Sequence, residues 1–188
     1  MTAWLLRALA ARDRVAQALL APLTWALLRL ARRTPYTHIG DYMRRWWLVR
    51  YNRRGLAVRV HEILRSDRDP HMHDHPWPFV SVVLRGGYWE WRPRALLGGV
   101  PVDSAVRATW HGPGSVLFRR HDDWHRLDVD PAVGPAVTLF VTGRYRHTWG
   151  FAVGGAKVPH GEYLRARRPD VDPALIADDP AKYAGGPT

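Results

Sequence analysis

Three of the chain's ten histidines fall at every second position in His71-Met72-His73-Asp74-His75, and the run continues as Pro76-Trp77-Pro78-Phe79. On an extended strand alternate side chains share a face, so these imidazoles can converge on one side of a sheet. Imidazole is the commonest protein ligand for a transition metal, which makes a metal site the chemistry to look for. Pro76 and Pro78 limit strand pairing just after the histidines, which places the run at an edge or bulge, where sites tend to sit. A metal also needs a ligand from elsewhere. His125 is the best candidate, because it follows a charged turn and opens a strand fifty residues beyond His75.

The neighbouring polar residues have blander readings. His71 shares the parity of His73 and His75 and has three readings: a fourth ligand, a group backing a ligand, or a solvated loop residue. The turn at Pro70 favours the last. His121 and Asp122 precede His125 and are alternative ligands, with a polar turn preferred. His61 reads as a satisfied strand histidine. Arg85 keeps the ligand parity if the strand runs unbroken from His75, and it can then hold a carboxylate or phosphate. Arg85 and Tyr88 are the candidate catalytic residues, and Glu90 and Trp149 are candidates for the pocket wall.

Two groups of elements must position these residues. Residues 3–33 carry leucines and alanines at helical spacing, punctuated by Arg7, Arg12, Arg14, Arg29, Arg32 and Arg33. Pro22 predicts a kink or a division of this segment. The uncharged run from Val15 to Leu28 is shorter than the ~20 residues of a membrane span. Asp13 and the lack of a small-x-small cleavage site disfavour a signal peptide. The segment reads as helices packed on the domain, a dimerisation element, or an amphipathic membrane-surface anchor.

From residue 41 onward the pattern is β. Residues 41–53 mix aromatics with arginines and predict a strand with aromatics inward and arginines solvated. Further strands are expected at Leu56–Leu64, Phe79–Leu84, Tyr88–Arg92, Ala105–Trp110, Ser115–Phe118, His125–Val129, Ala136–Thr142 and, last, Thr148–Val153. Arg53-Arg54-Gly55, Gly86-Gly87 and Gly112-Pro113-Gly114 mark turns between them, and Pro93–Asp103 is a Gly/Pro-rich loop. Short strands with such turns predict an all-β sandwich or barrel led by a helical segment. The expected organisation is an N-terminal helical segment over 1–35, a β domain over 36–165 in which Glu162-Tyr163-Leu164 docks, and a loose C-terminal tail over 166–188.

Composition narrows the classes. At 188 residues and 46% hydrophobic the chain can bury a real core. It has no cysteine, which excludes disulfides, thiolate nucleophiles and Cys-type zinc sites. Net charge is +11, and only Lys157 and Lys182 are lysines. The arginines are scattered without an aromatic-interleaved motif, so a solvated surface is preferred and nucleic acid is not an expected partner. The expected partner is a small molecule, with a homodimer or membrane-surface contact through residues 1–33 as further options. The expected location is cytoplasmic, with peripheral membrane association as the variant of it.

The histidine spacing resembles the cupin superfamily. Its first motif has the form G-x5-H-x-H-x(3,4)-E-x6-G, and His73-x-His75, three residues, Phe79, six residues, Gly86 keeps that spacing. Its second has the form G-x5-P-x-G-x2-H-x3-N, and Gly114, five residues, Arg120-x-Asp122, two residues, His125 keeps that one. The likeness covers roughly residues 55–153. The first motif's leading glycine is Asp67 here and its glutamate is Phe79. The second's proline, glycine and asparagine are Arg120, Asp122 and Val129. The resemblance implies a double-stranded β-helix (jelly-roll) barrel with His73, His75 and His125 as metal ligands and no carboxylate. That ligand set is similar to the iron site of cysteine dioxygenase and related thiol dioxygenases. The chain also resembles a group of small cupin-like proteins, many from bacteriophages. That likeness runs through His73-Asp74-His75-Pro76-Trp77, Arg85-Gly86-Gly87-Tyr88, Asp123-Trp124-His125-Arg126 and Trp149-Gly150-Phe151, and that group implies no reaction. Three histidines on one face leave positions open for substrate, which separates a catalytic site from a closed structural one. The implied cofactor is a divalent transition metal, Fe(II) first, with Mn, Ni, Co or Zn as alternatives. The implied function is an Fe(II) dioxygenase-type oxidoreductase acting on a small polar molecule. The alternatives are a metal-dependent isomerase or epimerase, and a non-catalytic binding or accessory protein.

Overall fold

A computed structural model of the chain describes residues 3–34, 36–39, 42–50, 55–67, 69–102 and 106–167. A long helix α1 (Ala3–Ala31) leads into strands β1 (Tyr36–Ile39), β2 (Met43–Val49), β3 (Ala57–Ile63), β4 (Phe79–Arg85) and β5 (Tyr88–Pro93). A small hairpin of β6 (Leu96–Leu97) and β7 (Val100–Pro101) sits within what the sequence reads as a plain loop. Then come β8 (Val106–His111), β9 (Val116–Arg119), β10 (Arg126–Asp128), β11 (Ala136–Thr142), β12 (Gly150–Val153), β13 (Ala156–Pro159) and helix α2 (His160–Arg167).

The strands form two facing layers. One sheet has the order β1-β2-β3-β11-β4-β9 and the other β10-β5-β8. His73 forms an isolated antiparallel bridge with His125, which extends the second sheet past β10. With His73 counted as a strand and the β6–β7 hairpin set aside, eight strands run from β3 to β11. They fall alternately into the orders first-eighth-third-sixth (β3-β11-β4-β9) and second-seventh-fourth-fifth (His73-β10-β5-β8). This is the connectivity of a jelly roll, as the all-β expectation requires. β1 and β2 widen the first sheet beyond β3.

Period-two alternation decides what faces the interior. β3 turns Ala57, Arg59, His61 and Ile63 inward, and β2 turns Met43, Arg45 and Trp47 inward. The expectation that the arginines of β2 are all solvated fails at Arg45, which is 4% exposed. The main core unites Met43, Ile63, Val83, Tyr88, Leu117, Leu127 and Val129 from both layers. Two motif glycines are required by geometry. Gly86 has φ +69°, and a Cβ there would stand 2.4 Å from the Pro135 carbonyl oxygen, while Gly114 has φ +85°.

α1 lies on the outer face of the first sheet. Leu27, Leu28 and Ala31 pack against Val82, Leu84, Val137 and Leu139. Polar ties add direction: Gly86 N–H donates to Gln17 Oε1 at 3.1 Å and Trp110 Nε1–H to Asp13 Oδ2 at 2.7 Å. Pro22 sits inside this continuous helix and does not divide it. Its ring is on the exposed side, where water can take the carbonyl its missing N–H leaves open.

One further expectation is corrected at the C-terminal end. β12 is not the last strand, since it forms a hairpin with β13. Tyr163 and Leu164 do dock, as the buried face of α2 against Phe151. The turn at residues 53–54 and the tail beyond 167 lie outside the described residues.

Candidate metal centre

Backbone pairing brings the three histidines together. His73 N–H donates to the His125 carbonyl and His125 N–H returns the bond to His73, both at 2.9 Å. This reciprocal pair locks two segments that are distant in the sequence. His75, two positions on, donates its N–H to the His121 carbonyl at 3.3 Å. Asp74 points the opposite way and is 2% exposed. It accepts from Gly150 N–H at 2.8 Å and from Lys157 Nζ at 2.6 Å. Asp74 is thus a peg that holds the alternation of its two histidine neighbours.

The result is a cluster in which one ring nitrogen from each of His73, His75 and His125 lies within 4.8 Å of the others. His75 Nε2 and His125 Nε2 are 2.8 Å apart. The Nδ1–H of His125 is spoken for, because it donates to Glu90 Oε1 at 2.8 Å. That bond leaves Nε2 as the ring nitrogen that faces the cluster. Burial holds His73 down to about 4 and holds His75 well below the ordinary histidine range, with His125 and His73 adding to the effect on His75. Neutral imidazoles are the form that ligates. The donor set therefore fits a divalent transition metal.

Glu90 anchors the far side. It is 1% exposed and accepts from His125, from His111 Nε2 at 3.0 Å, and from Arg119 through Nε at 2.8 Å and Nη2. Burial opposes its charge, yet the hydrogen bonds from Arg119, His111 and His125 hold its carboxyl well below the usual carboxylate range. The cluster thus has its carboxylate behind a ligand and not among the ligands. At the position of the missing glutamate, Phe79 stacks on Phe140 at 4.6 Å and meets His75 edge-on at 4.7 Å.

The histidines open on a cavity of about 130 Å³ inside the barrel. Trp77, Phe79, Phe140 and Trp149 supply its aromatic walls, and Tyr88 and Ser81 line it from the side of β4 and β5. Arg45, Arg59 and His61 also line it. Arg59 is fully buried, with its guanidinium 4.0 Å from the Trp47 ring centre and 5.3 Å from that of Trp77. His61 is pushed well below its ordinary value by burial and then by Arg59 and Arg45. Among the described lining residues there is no carboxylate.

The structure separates the remaining candidates. Tyr88 is in the cavity wall and its hydroxyl is held above the usual tyrosine range by burial and by Glu90. Arg85 is not in the wall. The β4–β11 register shifts at Val137/Thr138, a bulge that turns Arg85 to the outer face, where it pairs with Glu62 at 3.1 Å. His71 is neither a ligand nor a solvated loop residue, because its Nδ1 meets the Tyr163 hydroxyl at 2.8 Å on α2. His121 stands edge-on to His147 at 4.8 Å, and exposed Asp122 pairs with Arg120. Neither joins the cluster. Sequence reasoning missed Asp74, Arg45, Arg59 and the tie from Glu90 to His125. The available signal was parity: Glu90 shares a strand face with Tyr88, which belongs to the core, while Trp89 and Trp91 take the other face.

No protein-family model matches the chain, and no curated protein sequence matches it. Among solved structures it is similar to hydroxypropylphosphonic acid epoxidase from S. wedmorenis, at 19% identity and TM-score 0.47, over 60% of this chain and 56% of that one. It is similar to Fe(II)-HppE with the alternative substrate (S)-1-HPP at 18% identity and TM-score 0.46, over 60% and 57%. A structure from work on the DMSP lyases RdDddP and RnDddQII aligns at 15% identity and TM-score 0.44, over 58% and 56%. The chain thus spans a little over half the length of these structures.

Proposed function

We propose that this chain is a metal-dependent enzyme of cupin type, an oxidoreductase with dioxygenase-type chemistry on a small anionic molecule. The observation that carries the reading is the pair of Nε2 atoms of His75 and His125, 2.8 Å apart at the end of the barrel cavity, with Glu90 fixing the ring of His125. His73, His75 and His125 would hold the ion. Bound Fe(II) supplies redox chemistry with O2, and the protein supplies position and surroundings.

The chain's own residues give that chemistry its setting. Glu90 keeps the proton of His125 on Nδ1 and leaves Nε2 free to ligate. Arg45 and Arg59, each already engaged by neighbours, put two buried guanidinium groups in the cavity wall, and a substrate carrying a carboxylate, phosphate or phosphonate suits that wall best. The aromatic walls lower the local dielectric and strengthen that attraction. Tyr88 keeps its proton on the hydroxyl oxygen, as a hydrogen-bond donor inside the wall.

The test is oxygen uptake by Fe(II)-loaded protein against a panel of small carboxylates, phosphates and phosphonates. Uptake is expected with at least one anion, and Arg59→Met should lose it. Uptake with neutral polyols alone, or none with any of the panel while metal binds, would contradict the proposal.

A further inference from the structure

The outer face of the six-stranded sheet is only partly covered by α1. Register places Phe118, Val80, Val141, Val58 and Val49 in one row across β9, β4, β11, β3 and β2. This row lies beside the one on which α1 packs, and none of its members is buried. Phe118 is 63% exposed. On α1, Thr24, Leu28 and Arg32 face the Leu84–Arg85 end of β4. At helical spacing, exposed Leu19, Leu23 and Leu30 fall on the opposite flank, toward the row. Sheet and helix together form one contiguous apolar trough and not a scatter of single hydrophobics.

The rim of this trough is basic. The row lies at the ends of its strands, and the residues just beyond include exposed Arg50 after β2 and Arg120 after β9. Arg29 and Arg33 are exposed on the outward side and end of α1. Arg120 shares its charge with Asp122 at 3.2 Å. Asp13 faces away, toward Trp110. We propose that this face docks on an anionic lipid surface, with the apolar trough in the acyl boundary and the arginines at the headgroups. Arginine stems reach outward along apolar surface and keep their charge at the headgroup level. A second copy of the chain is the poorer occupant. Two faces of a +11 chain would bring one arginine rim against another. The inference is independent of the metal site. Among the described residues no helix is long and apolar enough to cross a membrane, so the contact would be at the surface.

The test is co-sedimentation of the full chain with vesicles of phosphatidylcholine alone or carrying roughly one-third phosphatidylglycerol, at roughly 0.15 M salt. The chain is expected to pellet with the anionic vesicles and stay behind with the neutral ones. Leu19→Asp/Phe118→Asp changes two exposed positions, so its thermal melt should match the parent while vesicle affinity falls about tenfold or more. Equal binding to both vesicle types, or no pelleting with either, would overturn the proposal. Binding kept by the double variant and lost only in salt would assign it to the arginines alone. A dimer by light scattering that the same variant dissolves would give the face to a second copy. Either result would overturn it too.

Discussion

His125 Nδ1 stands 2.8 Å from Glu90 Oε1, and Arg119 holds both oxygens of the same carboxylate. The carboxylate that a glutamate-bearing cupin would place on the metal has here no counterpart at Phe79. Charge is supplied one layer further out, through an imidazole. A histidine backed by a carboxylate is a stronger and better oriented ligand than one backed by water. Metal affinity is therefore expected to depend on Glu90, which is not one of the three ring nitrogens facing the cluster.

Glu90→Gln is expected to weaken metal binding about 10- to 100-fold. It keeps the shape and removes the charge, so competition against a chelator is the measurement. Glu90→Ala should also cost roughly 3–5 kcal/mol in stability, since it leaves Arg119 buried without its carboxylate. Unchanged affinity in Glu90→Gln would show that the Glu90–His125 bond is merely structural.

Acid should destabilise the metal-free protein. His73 is held at about 4 in the fold against 6.5 in an unfolded chain. Between those values the unfolded chain binds the extra proton, so this contribution is complete above pH 6.5 and is lost as pH falls toward 4. His75 is shifted in the same direction. The melting temperature without metal should fall over that window, and His73→Gln should flatten the fall. A melting temperature level from pH 6.5 to 4 would contradict the burial of these rings as neutral ligands.

Asp74→Asn removes the acceptor of Lys157 and weakens that of Gly150. Because Asp74 holds the alternation of His73 and His75, the variant should lose metal affinity along with stability. Measured together, both fall. A loss of stability at constant metal affinity would confine Asp74 to packing.

Phe79→Glu restores the carboxylate that the motif spacing leads one to expect. Among Phe140, Trp77 and His75 an ionised glutamate is costly without a cation, about several kcal/mol. The variant should melt lower than the parent without metal and gain more on adding it. Equal gains in parent and variant would place Phe79 outside reach of the ion.

Much of this was legible because jelly-roll strands are short and punctuated. The turns at Gly86-Gly87 and Gly112-Pro113-Gly114 mark the strand boundaries, and the His73-x-His75 and His125 spacings identify the cluster that pairing brings together. What was not legible depended on breaks in parity. The bulge beside Val137/Thr138 removes Arg85 from the cavity, and no local pattern announces it. Arg45 and Arg59 look like solvated strand arginines until both sheets are in place and bury them. His71 looks like a loop residue until α2 brings Tyr163 against it. Propensity along the chain does not carry that kind of information, because the partner comes from a distant segment.

The three-histidine centre is tested most directly by the metal content of the purified protein, alone and after reconstitution with Fe(II), Mn(II), Co(II), Ni(II) and Zn(II), beside His73→Ala and His125→Ala. About one ion per chain is expected in the parent. Both variants should lose that ion, with circular dichroism showing the fold retained. Metal content unaffected by both substitutions would contradict the centre.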